Sequence, residues 1–325
     1  MKNSLKLCYV LGCLIILPRL GFAQDNVVPD VVVKSVRVVE PFRRKVPWEI
    51  DLGSTGSIDI KLTTPWGMPL VEITANNQGP FTFLVDTGAD SSIISNELAN
   101  KLKLTAIETK KSEFHTPHQK ATIDTKLFIV DELKIGEAVL KNVPFIASNT
   151  ATDDFYLLKN LNVVGILGIN LFHDIILTLD LPKQKISLSS HQDNIKGNKL
   201  NINKSFYVPM IKAQVESNKT QTEYDLLIDS GYSGFIKMPV CFSYEERGQH
   251  PGSIVTYDVF NEQDGGFISE LDGTFVLGEK KIDNPLVKYT VGHCEDRKKW
   301  GLIGTAYLQY QSVSIDQKNR EVIIH

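Results

Sequence analysis

The chain has 325 residues, with 35 Lys+Arg against 38 Asp+Glu and a formal net charge of −3. Three of the cations (Lys2, Lys6 and Arg19) fall in the first 23 residues, so the remainder is more acidic and has no basic cluster; this speaks against nucleic acid as a partner, which needs a concentrated positive patch. Hydrophobic residues at 42% and charged residues at 22% fit a globular chain and argue against a disordered or fibrous one. At this length two domains or one large bilobed domain is expected.

Residues 1–23 read as an export signal. Lys2 and Lys6 form a basic start, Leu7 to Leu17 is apolar, and Gly21-Phe22-Ala23 offers small residues for cleavage. The apolar core is too short for a membrane helix, which needs about 20 residues, and no later stretch is long enough to span a bilayer. Apolar residues continue past Cys13, which disfavours a lipid anchor there. The expected product is exported, periplasmic or extracellular, and begins near Gln24. Residues 24–57, including VVVKSVRVVE, predict an extended N-terminal segment, either joined to a sheet or outside the fold as a pro-segment.

The rest of the chain repeats itself. FTFLVDTGADSSI places Asp86 after an apolar run, and YDLLIDSGYSGFI places Asp229 after another. Each is followed by an apolar-apolar-Gly signal, VVGILG ending at Gly168 and WGLIG ending at Gly304. Strand-turn-strand patterns then centre on Asp180 and Asp316. Markers in the same order and nearly the same register indicate a duplicated unit. The predicted division is a first lobe at 58–190, a linker at 191–202 within the polar stretch Ser189 to Asn203, and a second lobe at 203–325.

Both halves predict strands. VEITA, FTFLV, LFIVDELKI, FIKMPV and GTFVLG carry β-branched or aromatic residues between Gly, Pro or Asn boundaries. The clearest helix candidate runs from Ser95 to Leu104, with Ser95 as its cap and Leu98 and Leu102 on one face.

A lone Asp-Thr-Gly is an ordinary turn after a strand. Two such tripeptides in repeat register, each with its apolar-apolar-Gly partner, carry more. On these residues the chain resembles the aspartic peptidases of the pepsin and retropepsin clan, in a single-chain two-lobed form. VDTGADSS looks like a retropepsin active-site loop, and LIDSGYSGFIKMP is similar to the loop of small bacterial retropepsin-like proteins. The resemblance covers about Pro65 to Ile324 and implies an all-β, bilobed fold with two pseudo-symmetric barrel-like lobes.

It further implies that Asp86 and Asp229 are the catalytic pair. Thr87 and Ser230 match the hydroxyl residues that bond across to the opposite loop. Gly88 and Gly231 match the glycines of the tight turn, and Gly168 and Gly304 those of the strand beside the loop. Two close carboxylates share one proton, because ionising both is costly. The ionised one then takes a proton from the attacking water while the other donates to the peptide carbonyl. This chemistry uses no metal and no cofactor. A peptide or protein is the implied substrate, and one chain carrying both aspartates makes a monomer sufficient.

Tyr232 stands where pepsins have Ser or Thr, Ala89 is the retropepsin residue at the matching position, and the flap is expected near Ser112 to Leu127, with Phe114 as its nearest aromatic. The rival reading is a catalytically inactive peptide- or protein-binding module that keeps the fold. Tyr232 and the missing flap Tyr favour it; both aspartates and both hydroxyls oppose it. Cys241 and Cys294, left once the signal is removed, either pair or remain thiols. His115 with His118, and the run His293-Cys294-Glu295-Asp296, read as loops and not as metal ligands, and Asp180 and Asp316 as turn residues.

Overall fold

The structure, a computed structural model, describes residues 29–39, 42–115, 120–148, 160–191, 195–217, 220–238, 252–257, 263–289 and 300–325. The signal segment, Cys241, Cys294, His118 and the run at 293–296 lie outside these residues, as do the side chains of Phe114 and His115. Among the described residues the strands form three sheets of nine, six and nine strands, and the fold is all-β and bilobed.

The two large sheets are built alike. In the first, Gln78–Asp86 lies between Leu70–Ala75, which is antiparallel to it, and Val163–Gly168, which is parallel. In the second, Gln221–Ile228 lies between antiparallel Met210–Glu216 and parallel Trp300–Ile303. Each parallel strand also takes a two-residue antiparallel partner, Ile93–Ile94 or Ile236–Lys237. The strand sequences follow their burial. Phe83 and Val85, two apart, enter the main core, while Leu84 faces the other side with Leu70 and Ile166.

The six-stranded sheet joins the repeats. Ile176–Asp180 pairs antiparallel with Val313–Asp316, and Thr178 lies opposite Ser314. These two residues are 136 apart in sequence, the offset of the repeat, and their hydroxyls meet at 2.7 Å. A pseudo-twofold axis therefore passes between them. Ser57–Lys61 shows why the sheet has a buried face: Ile58 and Ile60 point inward, and Ser57, Asp59 and Lys61 point to solvent. Asp180 and Asp316 close the turns that follow, Asp180 accepting from Lys183 Nζ at 2.9 Å and Asp316 from the Asn319 amide at 2.9 Å.

Two expectations change, and one open alternative is decided. The helix is Asn96–Lys101, with Ser95 Oγ accepting from the Leu98 amide at 3.0 Å, and it stops short of Leu104 because Lys103 adopts a left-handed φ of 54°. The polar stretch between the repeats contains a strand, Asn198–Asn201, paired with Glu321–Ile324. The N-terminal segment joins a sheet. Val32–Val39 and Arg44–Asp51 form a hairpin whose second strand pairs with Ala138–Ser148. Trp48, Ile50 and Leu52 are at most 2% exposed and lie in the main core; at roughly 1.5–3 kcal/mol for each fully buried large apolar side chain, this hairpin is firmly attached.

Candidate active site

Asp86 and Asp229 each end a central strand and begin a tight turn, and the fold brings the two turns together across the pseudo-twofold axis. Thr87 Oγ1 donates to the Ile228 carbonyl at 2.7 Å and accepts from the Ser230 amide at 3.1 Å. Ser230 Oγ donates to the Val85 carbonyl at 2.7 Å and accepts from the Thr87 amide at 3.0 Å. Both side chains are fully buried. Each hydroxyl thus ties its own loop to the strand end of the other repeat.

The carboxylates sit in matching cradles. Asp86 Oδ1 accepts from the Gly88 and Ala89 amides at 2.8 and 3.2 Å, and Asp229 Oδ1 from the Gly231 and Tyr232 amides at 2.9 and 3.2 Å. The glycines are required by close approach. A Cβ on Gly88 would lie 2.6 Å from Asp229 Cγ, and one on Gly231 would lie 2.6 Å from Asp86 Cγ. Each aspartate is therefore packed against the opposite loop's backbone, with room for no side chain between.

Behind the turns, Gly168 and Gly304 let the neighbouring strand end reach the loop. A Cβ on Gly168 would lie 2.6 Å from the Ser91 carbonyl oxygen, and one on Gly304 would collide with the carbonyls of Gly234 and Tyr232. The next amides complete the contact: Ile169 N donates to Ala89 O at 2.9 Å and Thr305 N to Tyr232 O at 2.8 Å.

Burial raises the Asp86 carboxyl above its ordinary value, against the lowering pull of its two amide donors. Burial and then the neighbouring negative charge of Asp86 push Asp229 well above it. Both groups remain partly open to solvent. The pair therefore holds a proton under conditions in which isolated carboxylates have lost theirs, and its two titrations belong to the pair jointly.

All eight residues singled out in the sequence thus converge. Tyr232 folds its ring against Gly234 and joins Met210, Leu227 and Leu302, whereas Ala89 at the matching place joins Leu70, Leu84 and Ile166. The stretch where the sequence placed a flap lies in a hairpin of Glu108–His115 with the start of Lys120–Ile135.

Two supports were not read from the sequence. Pro69 and Pro209 accept from the Val85 and Ile228 amides at 2.9 and 3.1 Å; the paired signals Met68-Pro69-Leu70 and Val208-Pro209-Met210 were available to find them. Ser92 Oγ accepts from the Gly168 amide at 3.0 Å and donates to Asn170 Oδ1 at 2.9 Å. Nothing in the repeat marks that pair, because the second half has Phe235 and Ala306 there.

Thr87→Val would leave the Ile228 carbonyl and the Ser230 amide without their partner in a buried site. The expected loss of stability is about 2–4 kcal/mol in urea unfolding, with Thr87→Ser close to wild type. Because both aspartates are raised in the folded state, their contribution to stability is fully present below the ordinary value of 3.8 and is lost as pH rises through the folded titration. Asp229→Asn should therefore melt higher than wild type at neutral pH, with the gap closing on acidification. Equal melting at neutral pH would contradict this account.

Residues 71–171 match a family model described as aspartyl protease, and no curated protein matches the chain. The matched segment contains Asp86, Thr87, Gly88 and Gly168 and ends before the second repeat, whose loop meets the first through the hydroxyl bonds above. Residues 71–171 are thus similar to an aspartyl protease, and the match covers less than half of the chain.

Proposed function

We propose that the protein is an exported aspartic endopeptidase that hydrolyses peptide bonds with a water activated by Asp86 and Asp229. The observation that carries the reading is the reciprocal packing of each carboxylate against the opposite glycine, with both groups raised by burial. In the reactive form one carboxylate is ionised and one protonated. The ionised group accepts a proton from water as the water oxygen bonds to the peptide carbon. The protonated group gives its proton to the carbonyl oxygen, and a tetrahedral diol forms. Collapse of the diol returns one proton to the dyad and delivers one to the departing amine nitrogen, so the dyad ends as it began.

Amide cradles hold the carboxylates in place throughout, so little reorganisation is needed when charge moves between them. Both halves of the dyad come from one chain, and a monomer suffices. Among the described residues no helix is long and apolar enough to cross a membrane.

Digestion of a peptide library across pH tests the reading, with wild type, Asp86→Asn and Asp229→Asn side by side. Cleavage by wild type should fall by at least a thousandfold in each variant, because neither carboxylate alone provides both base and acid. Substantial cleavage by either variant rules out the dyad, and a wild type that binds peptides without cutting them favours the binding-module reading.

Export rests on residues 1–23, and the N-terminal sequence of the protein recovered from its host should begin at or near Gln24. An intact Met1 or a lipid on Cys13 would rule out this processing.

A further inference from the structure

The first active-site loop is supported from outside its own repeat. Arg37 on Val32–Val39 reaches the turn that follows Gly168. Its Nε and Nη2 donate to Asp174 Oδ2 at 3.1 and 2.8 Å, and its Nη1 donates to the Asn170 carbonyl. Ser35 Oγ adds a bond to Asp174 Oδ2 at 2.7 Å. The guanidinium lies 3.7 Å over the Trp48 ring, so it is fixed from its face as well as its edge. Both ends of the pair are largely buried, at 12% and 19% side-chain exposure. Two guanidinium nitrogens converge on one carboxylate oxygen, and a largely buried pair held this way is worth more than an ion pair in solvent.

From that anchor a continuous path leads to the dyad. Asn170, whose carbonyl Arg37 holds, accepts from Ser92 Oγ, and Ser92 Oγ receives the Gly168 amide. The Ile169 amide holds the Ala89 carbonyl, and the Ala89 amide is one of the two donors to Asp86. The second repeat does this differently. Its turn after Gly304 is Thr305–Leu308, where Tyr307 packs edge-on against Phe235 and Phe275 at 5.4 and 6.5 Å between ring centres. Leu171 occupies the position of Tyr307 in the first repeat. Aromatic packing within the repeat thus has its counterpart, in the first half, in a polar tether from the N-terminal hairpin.

We propose that the hairpin of residues 32–51 is a retained working part of the protein, with Arg37 a positioning residue for the loop that carries Asp86. The proposal rests on the endopeptidase reading for its kinetic consequence but not for its structural one. A hairpin removed on activation would take the anchor of the first loop with it while leaving the second loop intact.

The test compares Arg37→Met, Arg37→Lys and Asp174→Asn in the full chain with Leu188→Ala. Leu188 is a fully buried residue of the six-stranded sheet, outside this path, and its truncation serves as a purely destabilising control. Amide hydrogen exchange, read without substrate, should quicken at least tenfold in segments 86–92 and 166–171 of Arg37→Met and stay unchanged in 225–231. Arg37→Lys should lie between Arg37→Met and wild type. With a peptide that wild type cleaves, kcat per folded molecule should fall at least tenfold in Arg37→Met with KM within twofold, while Leu188→Ala lowers Tm and keeps kcat.

Unchanged exchange in the first loop, equal loosening of both loops, or an active species beginning after Arg37 would overturn the proposal. A wild type that cleaves nothing counts against the endopeptidase reading alone, because the exchange measurement still decides this one.

Discussion

Two carboxyl groups are brought close together, and much of the architecture follows from the demands of that approach. Like charges at short range repel, and taking them out of water adds a desolvation cost, so the pair is stable only with a shared proton and directed donors. The donors are four backbone amides, two for each carboxylate, presented by turns that need glycine where the opposite carboxyl presses in. The turns in turn are locked by the Thr87 and Ser230 hydroxyls, each bonded to the strand end of the other repeat. Loss of any one layer loosens the layer above it.

A twofold relation between halves satisfies these demands economically, since one solution serves both carboxylates. The six-stranded sheet maintains that relation far from the site, with Thr178 and Ser314 on the axis. The symmetry is not complete. Tyr232 covers Leu227 and Leu302 where Ala89 leaves the matching apolar surface with a small cap. Lys237 pairs with Leu302 where Ile93 pairs with Ile166. The surfaces beside the two loops therefore carry side chains that differ in size and polarity.

The supports behind the loops differ as well. In the second repeat Tyr307 and two phenylalanines hold the turn; in the first, a buried Arg37–Asp174 pair does so from the N-terminal hairpin. Burial by itself would raise the Asp174 carboxyl, but hydrogen bonds from His173, Ser35 and Arg37 together with the Arg37 charge outweigh it and hold the group far below the ordinary range. These bonds and the Arg37 charge therefore favour the ionised form of Asp174.

By itself the sequence determined what depends on local pattern and on repetition. Asp86, Thr87, Gly88 and Gly168, with their counterparts Asp229, Ser230, Gly231 and Gly304, were legible because the duplication presents each signal twice in order. Strand character followed from β-branched and aromatic runs between Gly, Pro or Asn boundaries, and the Ser95 cap from its side chain. Tertiary structure alone decided what depends on partners distant in sequence. VVVKSVRVVE reads equally well as a sheet strand or a detached segment, and only the burial of Trp48 and Ile50 and the reach of Arg37 to Asp174, 137 residues away, place it in the fold. The Ser92–Asn170 link has no repeat to announce it, because a hydrogen bond between side chains 78 residues apart is a matter of geometry and leaves no periodic trace.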